Sequence, residues 1–159
     1  MIRTLSGLAA ALITLATGTS TAPNALRTAS GTGYGWPLRP APDHIVRDFD
    51  PPAKPWLAGN RGLDLAGRPG QAVRAANGGI VTFAGPVGGT RAVAITFGDL
   101  RTTYEPVTPT VHRGERVSVG QVIGHLDSAP LHWGLLRGTD YLDPLALLGL
   151  ERVRLLPLT

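Results

Sequence analysis

The sequence predicts an all-β domain, an antiparallel sandwich or half-open barrel of short strands, with one short C-terminal helix. Three observations carry this. The chain has 21 glycines and 14 prolines but only 16% charged residues, a composition that favours strands joined by turns. Beyond residue 59, short β-prone runs alternate with Gly-Gly, Gly-Asp and Pro-Thr turns. One segment alone, near the C-terminus, carries both a helix start and a helix stop. With 159 residues the chain accommodates one ordinary domain, and 43% apolar residues suffice for a core.

Taken in order, residues 1–22 read as a signal peptide. Arg3 supplies a positive start, and Leu5 to Ala16 is apolar apart from Ser6, Gly7 and Thr14. That run is shorter than the ~20 residues a membrane span requires. Ser20-Thr21-Ala22 offers small residues for cleavage, but Pro23 is unfavourable just after it, so an uncleaved anchor and a short core helix stay open as alternatives. Residues 23–33 form a linker of small residues and threonine. Residues 34–58 read as a proline-rich arm, extended over the domain because prolines at 37, 40, 42, 51, 52 and 55 forbid a long helix. Trp36, Phe49 and Trp56 are its expected anchors.

A β domain then fills residues 59–150. It opens on Gly59-Asn60-Arg61-Gly62-Leu63-Asp64-Leu65-Ala66-Gly67, a glycine-punctuated run that argues against helix and puts Asp64 on a strand or tight bend. Asp64 is either a turn aspartate bonding its own backbone or a metal ligand. The expected strands are Val73 to Ala76, Gly79 to Ala84, Arg91 to Phe97, Arg101 to Tyr104, Val117 to Val119, Gln121 to Leu126 and Leu131 to Leu136. The last of these embeds His132 in an apolar run, a second potential ligand. Asp143 to Leu148 is the helix, with aspartate as N-cap, Pro144 at the first helical position and Gly149 as the stop. Residues 151–159 form a tail.

Absence of cysteine removes disulfides and thiolate chemistry from consideration. The formal charge of +4 suits anionic wall polymers, phospholipid surfaces or nucleic acid, but the basic residues are scattered, which argues against nucleic acid as partner. His44, His112 and His125 sit near turns or prolines and read as exposed surface histidines.

Six segments in fixed order carry a resemblance. They are Gly62-Leu63-Asp64-Leu65-Ala66, then Val73 to Val81, Thr102-Thr103-Tyr104, Val117 to Gly124, Leu131-His132-Trp133 and Asp143-Pro144. From Gly59 to about Leu148 the chain resembles the lysostaphin/LytM-type zinc endopeptidases, duplicated-hybrid-motif enzymes that cut peptide cross-links in bacterial cell walls. The resemblance implies a zinc held by a histidine four residues before an aspartate, by that aspartate, and by the second histidine of a His-x-His strand. Asp64 and His132 match the last two, and Asn60 occupies the first. The resemblance also implies a groove for substrate, with Tyr104 and Trp133 as candidates to contact it.

Departures from the family pattern concern the chemistry. Asparagine is not among zinc's usual protein ligands, so zinc is expected to bind weakly or not at all. Pro106 and Pro130 stand where the family has its two further histidines, and proline can neither take nor give a proton. Glu105 alternates away from Tyr104 and position 106, so its use as a base would require a bulge. Asp127-Ser128-Ala129 replaces a longer glycine-rich groove wall. The expectation is an exported domain, secreted or in the cell envelope, degenerate in catalysis and with no catalytic residue assigned. It would bind peptidoglycan or a cell-wall protein, meeting a membrane only through an uncleaved leader. An active zinc endopeptidase cutting peptidoglycan cross-link peptides is the alternative.

Overall fold

The computed structural model describes residues 33–54 and 56–150. Among the described residues, eleven strands and one 3-10 helix follow in chain order. The strands are β1 (Ile45–Arg47), β2 (Gly62–Leu65), β3 (Ala72–Arg74), β4 (Gly79–Val87), β5 (Thr90–Phe97), β6 (Leu100–Glu105), β7 (Val107–Pro109), β8 (Arg116–Val117), β9 (Val122–Leu126), β10 (Leu131–Arg137) and β11 (Asp140–Leu142). The expected signal peptide, residues 23–32 of the linker, and the tail lie outside the described residues.

Eight strands form one antiparallel sheet in the order β1-β2-β10-β6-β5-β4-β8, with β11 folded back on β10; β3-β9-β7 form a second, smaller sheet. All-β architecture with antiparallel pairing is what the glycine- and proline-rich composition called for. The expected helix forms as a 3-10 turn, Pro144–Leu148. Asp143 caps it by accepting a hydrogen bond from the Leu145 amide at 2.9 Å, and Gly149 ends it at φ 66°, a left-handed conformation that glycine adopts freely.

Strand alternation builds the core. On β10, Leu131, Trp133 and Leu135 point one way and are buried; on β6, Thr102 and Tyr104 do the same. Val73, Val107, Ile123 and Leu126 of the small sheet join them in one cluster. Tyr104 carries a polar group into this cluster, and the chain accounts for it. Its hydroxyl accepts from the Ala76 amide at 3.0 Å and donates to Thr102 Oγ1 at 3.0 Å, and Thr102 donates to Asn77 Oδ1 at 2.7 Å. Burial pushes the Tyr104 phenol up to about 12, opposed by the bonds to Thr102 and the Ala76 amide.

The arm is less uniform than its prolines suggest. Leu38 is fully buried, Trp36 packs its ring 6.1 Å from that of Trp133, and Phe49 lies partly buried against the core. Residues 45–47 leave the irregular course to pair with β2 as an edge strand, which the sequence did not signal. Trp56 is not an anchor. It is 76% exposed.

Candidate active-site groove

Register, more than sequence distance, assembles the site. β10 runs between β2 and β6, and His132 stands opposite Asp64 on one side and opposite Glu105 on the other. Directly opposed residues of antiparallel strands share a face, so the three side chains form one row on the face of the large sheet that points away from the core. Glycine makes room for the row. A Cβ on Gly62 would come within 2.9 Å of His132 Nε2 and would collide with the Trp133 carbonyl, so the imidazole lies against β2 only because position 62 has no side chain. The next register position pairs Gly134 with Gly62 and with Thr103, leaving a floor of small residues.

Asp64 and His132, expected together, are together. His132 Nδ1 lies 2.7 Å from Asp64 Oδ1, and the two side chains are 27% and 18% exposed. Asn60 takes a different course. Its Nδ2 donates to the backbone carbonyls of Asp48 at 3.0 Å and Arg47 at 3.4 Å, and its backbone pairs with Asp50 at 2.9 and 2.7 Å. The side chain therefore ties the arm to the domain.

These donors bear on the zinc that the family resemblance implies. Two ligands of one tetrahedral zinc, each at about 2.0–2.1 Å, stand about 3.3 Å apart. The Asp64 and His132 atoms are closer, at hydrogen-bonding separation. Among the described residues no three histidine, cysteine, aspartate or glutamate side chains cluster closely enough to hold an ion. Asp64 and His132 are thus the donors at this site of the types zinc takes, and the Asn60 amide is committed to the arm.

Around the row runs a groove of about 630 Å³, with Ala92, Ala94 and Thr103 on its floor and Phe83, Val87, Arg61 and Tyr141 among its walls. Tyr104 and Trp133 do not reach it. Both are fully buried on the opposite face, so neither can contact substrate as expected. Glu105, in contrast, lines the groove without any bulge, because the site lies on the face opposite Tyr104. Its carboxylate makes no hydrogen bond or ion pair among the described residues. Alternation along β6 was legible in the sequence; which face would carry the site was not, because that depends on pairing with β10.

Pro106 and Pro130 flank the row at the ends of β6 and β10. The short segment before Pro130 is pinned. Asp127 accepts from Arg91 Nε at 3.2 Å and from the Thr108 hydroxyl, and its amide donates to the Pro106 carbonyl at 3.0 Å. His44, His112 and His125 are all exposed.

Comparison with known proteins fits this geometry. A family model described as Peptidase family M23 matches residues 58–144. An uncharacterized protein, Rv2891 of Mycobacterium tuberculosis, is 45% identical over 144 residues, covering 82% of this chain and 57% of the relative, so the chain spans little more than half the length of that protein. Helicobacter pylori Csd3 superposes with a TM-score of 0.61 at 25% identity, over 76% of this chain and 35% of that one. Lysostaphin from Staphylococcus simulans superposes at 0.57 with 22% identity, over 67% and 50% of the respective chains, and a zinc-containing peptidase from Vibrio cholerae at 0.59 with 22%, over 69% and 38%.

Proposed function

Since the chain belongs to peptidase family M23, we propose that it acts at the bacterial cell wall as a catalytically degenerate member that binds peptidoglycan or a wall-associated protein. Export to the envelope goes with this reading; among the described residues no helix is long and apolar enough to cross a membrane. One observation carries the proposal. At the position where the resemblance calls for the first metal ligand, Asn60 spends its amide on the carbonyls of Arg47 and Asp48, leaving Asp64 and His132 to bond each other. Proton transfer has lost its means as well, with Pro106 and Pro130 at the two remaining histidine positions. The groove persists as a binding surface: small residues keep its floor open, and Gly62 and Gly134 cannot take a side chain without displacing Trp133, His132 or Thr103.

Glu105 favours a second reading. A half-buried carboxylate without a partner among the described residues, directly across from His132, is a candidate proton acceptor for a zinc-dependent endopeptidase acting on cross-link peptides. Metal content and wall binding separate the two. Purified full-length protein is expected to retain far less than one equivalent of zinc after dialysis against micromolar zinc, and to sediment with isolated peptidoglycan without releasing cleaved peptides. Stoichiometric zinc with release of stem-peptide fragments would overturn the degenerate reading. Failure to sediment would leave a wall protein as the partner to look for.

A further inference from the structure

We propose that the groove takes a short extended peptide with a free ammonium at one end and a free carboxylate at the other, held between Glu105 and Arg101. The inference rests on the wall-binding reading above and names the part that is held. It is the uncross-linked peptide of the wall, since forming a cross-link amide consumes one amine and one carboxyl group.

Strand β6 sets the spacing. Glu105, Thr103 and Arg101 alternate onto one face of it, and all three line the groove. Four residues of strand put the two charged positions about 13 Å apart. Among the described residues neither charged side chain makes a hydrogen bond or ion pair. The other charges of the groove are engaged: Asp64 bonds His132, and the Arg61 guanidinium lies 5.6 Å from the Tyr141 ring centroid.

Between Glu105 and Arg101 the floor is kept low. Ala94, Thr103, Gly134 and Gly62 stand opposite one another on β5, β6, β10 and β2, a row of small residues across four strands. A Cβ on Gly134 would collide with Thr103 Oγ1, and one on Gly62 with the Trp133 carbonyl. Glu105 closes one side of this floor, in register with His132, and Arg101 closes the other, in register with Leu136.

An extended peptide advances about 3.3 Å per residue, so the ends of a tetrapeptide stand about 13 Å apart, the span between the two charges. Its ammonium meets the Glu105 carboxylate, and its carboxylate meets the Arg101 guanidinium, a group shaped for bidentate carboxylate binding. Charge thus decides which end goes where. Phe83 and Val87, both exposed on the β4 wall, give apolar cover to the residues between. A ligand of one sign, such as an anionic lipid surface, would suit Arg101 but set like charge against Glu105.

Calorimetric titration of the full-length protein with tetra-alanine reads the proposal at each end separately. The unblocked peptide is expected to bind about fivefold more tightly than its N-acetylated or its C-amidated form, with the preference fading as salt is added. Glu105→Gln should remove the preference for the free ammonium and keep that for the free carboxylate. Arg101→Gln should do the reverse. Glu105 is half-buried and Arg101 exposed, both away from the core, so the variants should fold, and loss of discrimination at one end alone is not an effect of unfolding. Equal binding of the unblocked and the doubly blocked peptide would overturn the proposal, as would binding of neither. Variants that keep both preferences would overturn it too. If the unblocked peptide is preferred at both ends while the protein fails to sediment with isolated peptidoglycan, the peptide site stands and the wall-binding reading falls. Sedimentation without any end preference ends the peptide site and leaves wall binding in place.

Discussion

Strands β6 and β10 each face two worlds, and the contrast between those faces explains what this protein has kept. On the core face, Tyr104, Trp133 and Thr102 are completely buried, and the hydroxyls form a continuous hydrogen-bonded chain to Asn77 and Ala76. One residue along, on the groove face, the Glu105 carboxylate has no partner among the described residues and the His132 ring bonds Asp64. Changes on the core face carry a cost in stability, since burying an unsatisfied group there costs about 1–3 kcal/mol. The groove face answers only to whatever it binds. Asn60, Pro106 and Pro130, at positions where the resemblance implies histidine, are therefore compatible with an intact register.

The largest effect that contrast predicts is on Trp133. Truncation to alanine should lower unfolding stability by about 3–5 kcal/mol in urea titrations, the usual cost of emptying a large aromatic site. The same variant, where still folded, should bind wall material with unchanged affinity. A loss of binding larger than the loss of stability would show that the two faces are coupled. Trp133→Phe should cost much less, because the phenyl ring refills most of the site and the indole N–H makes no hydrogen bond of good geometry among the described residues.

Next in size comes Tyr104. Its phenol ionises at about 12 in the folded chain against 10.0 in the open one, so the folded state holds its proton longer. The folded state therefore binds more protons than the unfolded state above pH 10, and stability falls as pH climbs from about 10 to about 12, by about 2–3 kcal/mol. Below that window the residue contributes no pH dependence. Tyrosinate absorbance should rise together with unfolding, and Tyr104→Phe should flatten the alkaline slope while costing about 1–3 kcal/mol at neutral pH, since the Ala76 amide loses its acceptor. An alkaline slope unchanged in the variant would place its origin elsewhere.

How much of this was legible beforehand follows the same division. Local chemistry was readable: Asp143, Pro144 and Gly149 mark the terminal turn, and the apolar alternation from Leu131 to Leu136 marks a strand carrying one histidine. The convergence of Asp64 and His132 was readable too, through the ordered motifs. Pairing was not. No local signal says that His132 stands opposite Glu105, so Tyr104 and Trp133, which flank the site in sequence, passed for groove residues although they point into the core. Nor could spacing reveal that β1 would pair with β2 and draw the Asn60 amide toward the arm, because that depends on a contact thirteen residues away.

Asn60 offers a third, intermediate effect. Replacement by histidine restores the donor type that the family pattern calls for at this position, and zinc affinity measured by calorimetry should rise at least about tenfold, roughly 1.4 kcal/mol. The metal-free variant should lose about 1 kcal/mol of stability, because the bonds to the Arg47 and Asp48 carbonyls disappear. Unchanged zinc affinity would mean either that position 60 does not correspond to the ligand or that the arm keeps its side chain turned away. Removing the arm's hold is then the discriminating step, since a misassigned position gains nothing from it.

The smallest effect belongs to Glu105, and it is the sharpest test of the contrast. A carboxylate that bonds nothing among the described residues, on a face open to water, adds little to folding, so Glu105→Gln should alter stability by less than about 0.5 kcal/mol. Its nearest charged neighbours across the sheet are the His132–Asp64 pair on one side, while Arg61 and Arg101 line the same groove. Any residual effect should therefore be electrostatic and fade with added salt. If Glu105→Gln instead costs more than about 1 kcal/mol, and the loss survives high salt, the carboxylate is held by the fold like a core-face group. The two faces of β6 would then be under the same constraint, and the contrast between them would fail at this position.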